Sequence, residues 1–224
     1  MTETMRDRLR RISVFANAGP IDVKESELPE NPVPMVAEWI LAAHAAGQPE
    51  PHAMSLCTVG AGGLPSSRVL LVKDIDSDRL FFATPADSRK GVDIASNPHV
   101  AAHFYWPATG RQVRLTGTAS GLDRDASERD FAERGRGSRL AAHLHRPGPL
   151  PDRRTAHEEF ERLDALHADR VPCPPSWTLY AITPAEVEFW QASTDRVHHR
   201  VRYLRENPRG TAGDTVWKRE LLWP

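Results

Sequence analysis

The chain has 224 residues, 40% of them hydrophobic and 26% charged, which is enough to bury one sizeable core. Its 29 Lys and Arg against 30 Asp and Glu leave a formal net charge of -1, so the basic field that drives nucleic-acid binding is missing. Residues 1–11 are charged, and the longest apolar segment, 34–46, falls short of the roughly 20 residues of a membrane span, so no signal peptide or membrane anchor is expected and the chain reads as cytoplasmic.

Residues 1–30 read as a polar N-terminal arm with a short basic helix at 5–12, and 31–224 as one domain. Segment 34–46 places Val36, Trp39, Ile40 and Ala43 at helical spacing, with Pro34 at its start and Gly47 beyond its end. The period then changes to that of short strands at 53–59, 67–75 and 79–84, separated by Gly60-Ala61-Gly62-Gly63 and by Asp76-Ser77-Asp78. A short helix at 88–96, closed by Asn97-Pro98, precedes strands at 99–106 and 111–117. In the latter, Val113 and Leu115 alternate with Gln112, Arg114 and Thr116, giving one core face and one polar face able to line a site. Helices are expected at 125–144 and 155–168, and strands return at 177–182, 186–191, 197–204 and 215–222, with a loose turn at 207–214. Many short strands with few crossover helices indicate a mainly β, antiparallel barrel with peripheral helices. No Gly-rich dinucleotide fingerprint follows a strand.

Three segments carry candidate chemistry. Arg68 to Lys73, Thr84 and Ser88-Arg89-Lys90 gather cations around a helix start, whose unpaired N–H groups and dipole suit a phosphate, although such a start is also an ordinary solvated surface. Strict alternation puts Arg68 and Lys73 on opposite strand faces. Gln112 and Arg114 share a face, where an amide can donate to and accept from a heteroaromatic ring edge, or simply form a polar outer surface. Arg196-x-His198-x-Arg200 puts three basic side chains on one face of a strand, an arrangement that fits either an anion site or an exposed edge strand. His143-x-His145 lacks further ligands at metal-binding spacing, and no G-x-S-x-G elbow occurs, so neither a metal site nor a serine hydrolase is expected. Cys57 and Cys173 lie outside any C-x-x-C spacing and read as incidental thiols.

In order along the chain, Arg68 to Lys73, Ser88-Arg89-Lys90, Asn97-Pro98, Arg111-Gln112-Val113, Glu188-Phe189-Trp190-Gln191 and Arg196-x-His198-x-Arg200 resemble the pyridoxine/pyridoxamine 5′-phosphate oxidase family over residues 50–224. The resemblance implies an FMN-binding split β-barrel working as a homodimer, with flavin sites at the subunit interface. It implies that Arg68, Arg89 and Lys90 hold the FMN phosphate, with Thr84, Ser88 and Lys73 nearby and Val69, Leu70 and Leu71 against the ring. Gln112, Trp190 and Arg200 would complete the flavin site; Lys73, Arg134 and Ser138 would meet a substrate phosphate; Arg196 and His198 would orient the substrate ring and act in catalysis. The implied reaction oxidises pyridoxamine or pyridoxine 5′-phosphate to pyridoxal 5′-phosphate, with dioxygen giving hydrogen peroxide.

The departures from the family pattern cluster on the substrate side. Asp130-Phe131 stands where the family usually has Tyr-Phe, and His145-Arg146-Pro147-Gly148 replaces a Ser-x-Gln-Ser, with Arg146 a candidate substitute for its flavin contact. Ala192, His199 and Leu221 replace the usual Gly, acidic residue and Arg. An Asp beside a phosphate repels it unless turned away. Two alternatives follow: a flavin-dependent oxidase of a reduced aromatic, phenazine-type biosynthetic intermediate, and a non-catalytic flavin or haem binder.

Overall fold

The computed structural model describes residues 4–15, 24–146, 148–206 and 216–224. The expected turn at 207–214 lies outside the described residues, as does Pro147. Nine strands form one sheet: β1 (Ala53–Val59), β2 (Pro65–Leu71), β3 (Asp74–Ile75), β4 (Leu80–Pro85), β5 (His99–Trp106), β6 (Arg111–Gly121), β7 (Trp177–Gln191), β8 (His199–Glu206) and β9 (Val216–Leu221). Their order is β2-β1-β5-β6-β7-β4-β3, with β8 pairing β7 and β9, and the pairs of known register are antiparallel. Among the described residues six α-helices accompany them: α1 (Met5–Arg10), α2 (Pro32–Ala45), α3 (Arg89–Ser96), α4 (Arg124–Glu133), α5 (Arg136–Ala142) and α6 (Arg153–Leu166). Among the described residues no helix is long and apolar enough to cross a membrane.

The chain divides into two compact units. One is built from Met1–Ser55, Ala102–Thr116 and Pro184–Pro224, the other from Leu56–Ala101 and Gly117–Thr183. In the first, α2 starts where the Asn31 side chain accepts from the Val33 N–H and Pro32 supplies a helical φ, and it ends before Gly47 at φ 78°. Its buried face presents Trp39, edge-on to Trp106 at 6.4 Å and to Phe189 at 5.0 Å. In the second unit Phe82 stacks on Tyr180 at 5.3 Å, and Phe131, Leu140, Leu163, Val171 and Trp177 form a separate apolar cluster.

Three expectations need correction. The helix expected at 125–144 is two helices: the chain leaves helical geometry at Arg134 (ψ 143°) and Gly135 (ψ 148°), where glycines 135 and 137 weaken helix propensity. The two strands expected at 177–182 and 186–191 are one strand, β7, which pairs β4 up to Ile182 and β8 from Glu186. Pro184, which lacks a ladder N–H, falls between those two registers, where none is needed. The third concerns Arg196-x-His198-x-Arg200. Strand β8 begins only at His199 and Arg196 sits in a turn at φ 70°, so strand alternation does not place these three side chains on one face.

Candidate functional site

One group of candidate residues surrounds the start of α3. Ser88 caps this helix, its Oγ accepting from the Gly91 N–H, and both Thr84 and Ser88 are buried. Lys90 Nζ reaches Thr84 Oγ1 at 2.9 Å and Ser88 Oγ at 3.2 Å. Arg68 donates from Nη1 to Thr58 Oγ1 (2.9 Å) and from Nη2 to Ser66 Oγ (2.7 Å). Thr58 in turn donates to Asp93 Oδ2 at 2.8 Å, and Arg89 Nε lies 3.4 Å from Asp93 Oδ1. Arg89 directly, and Arg68 through Thr58, thus meet the buried Asp93 carboxylate, while Lys90 meets only hydroxyls. Burial holds the Lys90 pKa down, and the Arg68 charge adds to the effect; burial also lowers Arg68, against the pull of Asp93. Cations held in this state gain from an incoming anion. Thr58 and Asp93 escaped the sequence reading; the only local signal was Asp93 standing four residues after Arg89 on a helix.

Lys73 lies beyond the end of β2 with an exposed side chain, and the structure shows no hydrogen bond joining it to the Arg68 cluster. Strand β2 ends the sheet order, and Val69 and Leu71 are exposed on it while Leu70 is half-buried. A backbone edge and two apolar side chains are therefore free to meet a ring or another chain.

In the other compact unit, Gln112, Arg114, Glu188, Trp190, Arg200 and Pro224 line a cavity of about 320 Å³. The alternation read in the sequence holds here: Val113 and Leu115 are buried while Gln112 and Arg114 turn to the cavity. Register pairs Trp190 with Arg200 across β7 and β8. Glu188, 4% exposed, accepts from Arg114 Nε on Oε2 (2.7 Å) and from Arg200 Nε on Oε1 (2.9 Å). Burial pushes the Glu188 pKa up, but the hydrogen bonds and charges of Arg200 and Arg114 outweigh it and hold the carboxyl below its usual value. Gln112 Oε1 lies 3.0 Å from His103 Nε2.

Close to Trp190, the His198 ring lies at 4.8 Å, and the Ser193 N–H donates to His198 Nδ1 at 3.1 Å. A backbone N–H can only donate, so Nδ1 accepts, and the neutral imidazole carries its proton on Nε2. Phe15, from the arm, packs 5.6 Å from Trp190 and 5.3 Å from His198, with the Arg196 guanidinium 5.2 Å over its ring. No sequence pattern singled out Phe15. A second cavity of about 720 Å³ lies against Ser193, Asp195, His198 and His199.

Arg134 and Ser138 stand apart from these groups, in a setting dominated by Trp177. The Arg134 guanidinium stacks 4.1 Å over the Trp177 ring and donates from Nη2 to the Ser138 carbonyl at 2.9 Å. Trp177 Nε1 donates to Asp130 Oδ2 at 3.0 Å, so Asp130 faces the indole. Burial lowers the Arg134 pKa, and the Asp130 charge acts against that. His145 lies 3.5 Å from Asp87, and Arg146 pairs with Glu159.

Comparison with known proteins adds a second line of observation. The family model described as pyridoxamine 5′-phosphate oxidase matches residues 40–191, and that described as the pyridoxine 5′-phosphate oxidase C-terminal dimerisation region matches 177–224. A pyridoxine/pyridoxamine 5′-phosphate oxidase of Herminiimonas arsenicoxydans is 37% identical over 204 residues, 91% of this chain and 94% of the relative. One of Burkholderia vietnamiensis (strain G4 / LMG 22486) is 38% identical over 209 residues, 93% of this chain and 96% of the relative. Among solved structures, PhzG from Burkholderia lata 383, in complex with tetrahydrophenazine-1-carboxylic acid, superposes with TM-score 0.83 at 30% identity, covering 92% of this chain and all (100%) of that one. A pyridoxamine 5′-phosphate oxidase-related, FMN-binding protein of Nostoc punctiforme PCC 73102 shares the fold alone, with TM-score 0.70 at 20% identity, 91% of this chain and 100% of that one being covered. The fold class is therefore the mainly antiparallel split barrel expected from the resemblance.

Proposed function

Because the chain belongs to the pyridoxamine 5′-phosphate oxidase family and is an FMN-dependent flavin oxidase, we propose that its donor is a reduced, non-phosphorylated aromatic ring compound. The observation that carries this reading is Asp130. It stands where the family usually has Tyr, at the place the resemblance assigns to a substrate phosphate, and its carboxylate is held by Trp177 beside Arg134. An acidic group there offsets the Arg134 charge and disfavours a phosphate dianion. The PhzG neighbour, whose ligand is tetrahydrophenazine-1-carboxylic acid, supports the same substrate class. So does the cavity of about 720 Å³ beside His198, a size that accommodates multi-ring ligands.

The residues present fit FMN. We assign the phosphate to Lys90, Arg68, Arg89, Thr84 and Ser88, a group that combines two buried hydroxyls with half-buried Lys90 and Arg68 and exposed Arg89. Gln112, Trp190 and Arg200 are assigned to the ring, with Val69, Leu70 and Leu71 offering backbone. When bound, FMN supplies hydride acceptance and the return of two electrons to dioxygen, giving hydrogen peroxide. The protein orients the donor. Arg196 and His198 would hold the donor ring; the Ser193 N–H fixes the His198 ring, leaving its Nε2–H to donate a hydrogen bond to the substrate. The match to a dimerisation region, together with exposed Val216, Leu221 and Trp223, supports a homodimer with flavin at the subunit interface.

A second reading, oxidation of pyridoxamine or pyridoxine 5′-phosphate to pyridoxal 5′-phosphate, draws on retained Lys73, Arg134 and Ser138 and on the relatives' activity. Anaerobic mixing of FMN-loaded protein with each donor class separates the two. Bleaching of the flavin band by a dihydro-aromatic carboxylic acid, recovering in air, is the expected result; bleaching only by the 5′-phosphates would overturn the first reading in favour of the second.

A further inference from the structure

We propose that Glu188 is a positioning residue that aims Arg200 at the flavin ring and sets the charge the ring experiences. The inference rests on the assignment of Arg200 to the flavin. Glu188 is 4% exposed, and each of its oxygens is engaged by a different guanidinium: Oε2 by Arg114, Oε1 by Arg200. An ionised carboxylate buried this deeply needs a cation in contact with it; Glu188 has two, the less exposed Arg200 and the outer Arg114, and in return it fixes them. Arg200 has its Nε on Glu188 and one Nη1 hydrogen on the Trp223 carbonyl at 2.8 Å. Two anchors on one planar group leave no rotation about the guanidinium, so its remaining N–H groups have a single direction. That direction matters because the same cavity contains Gln112 and Trp190, the other residues assigned to the ring.

Charge gives the second half of the argument. Arg114 and Arg200 bring two positive charges to the cavity, and Glu188 cancels one of them at contact distance; Glu186, 3.6 Å from Arg114, offsets the other more weakly. A flavin gains negative charge when it takes a hydride, so each uncompensated cation beside it favours the reduced form. Glu188 therefore restrains the potential that Arg200 alone would raise, and keeps the reduced flavin ready to pass electrons to dioxygen.

The test uses the full-length flavoprotein and two readouts other than turnover, the midpoint potential and the FMN dissociation constant. Glu188→Gln keeps the shape, removes the charge and presents an NH₂ to one arginine. It is expected to raise the potential and weaken FMN binding by roughly 10- to 100-fold. Arg114→Met, at a largely exposed side chain, is expected to fold normally and lower the potential, the opposite sign. The double variant E188Q/R114M removes one charge of each sign, and its potential is expected to return towards that of the parent, whereas a purely structural Glu188 would leave the double variant no better than E188Q. Arg200→Met separates this idea from its premise. If R200M alters the flavin spectrum and potential but E188Q and R114M move neither, the role of Glu188 is overturned and Arg200 keeps its place; if R200M also changes nothing, the assignment of Arg200 to the flavin fails with it.

Discussion

At the scale of single residues, charge decides most of what this site can bind. Lys90 sits between two buried hydroxyls with its pKa lowered by burial and by Arg68. A bound phosphate reverses that shift, so binding at alkaline pH requires proton uptake, and FMN affinity should fall as pH rises through the lowered Lys90 pKa, below the ordinary 10.5. Titrating flavin fluorescence at several pH values checks this, and Lys90→Met should flatten the profile while weakening binding about tenfold or more. Asp130 makes the complementary case. Asp130→Tyr removes the carboxylate beside Arg134 and should lower KM for pyridoxine 5′-phosphate by about tenfold, the worth of one charge-assisted contact. Steady-state kinetics on the two proteins would show it. The sequence identified Asp130 as a departure, but only the structure turned its carboxylate to the Trp177 indole.

At the scale of elements, the start of α3 depends on a close approach that only glycine permits. A Cβ at Gly91 would lie 2.3 Å from the Ala86 carbonyl oxygen, a backbone atom that cannot swing aside. Gly91→Ala should therefore displace Ser88 and Lys90 together, costing about 1–3 kcal/mol of stability and most of the FMN affinity, measurable by thermal melting with and without FMN. Across β8 and β9, Arg202 and Lys218 both hydrogen-bond Glu220 and hold its carboxyl at about 2. The carboxyls of Glu188 and Glu220 are lowered in the folded chain, so their contribution is complete above their ordinary 4.5 and is lost as pH falls below it. Denaturant unfolding at pH 7 and at pH 3.5 should give a lower midpoint at the acid value. Most of the loss is expected to come from buried Glu188 rather than from the solvent-screened pair at Glu220.

For the whole molecule, the match of residues 177–224 to a dimerisation region and the exposed Leu221 and Trp223 lead to the expectation of a dimer. Light scattering of the flavin-loaded protein should give twice the 25.0 kDa chain mass. The sequence by itself determined the class of this protein: alternation of Val113 and Leu115 with Gln112 and Arg114, the Ser88-Arg89-Lys90 helix start and the Gly47 helix stop are local features, and local pattern specifies strands, helix ends and a phosphate-ready N-terminus. Tertiary structure alone decided which polar groups neutralise one another. Glu188 meets Arg114 across 74 residues of chain, Thr58 meets Asp93 across 35, and Arg124 meets the Cys173 carbonyl across 49. It also decided that Arg196 leaves the strand pattern at positive φ and that Phe15 reaches Trp190. Such pairings carry no periodic signal, because a buried carboxylate is satisfied by whichever guanidinium the fold delivers, and that depends on strand register rather than on spacing in the chain.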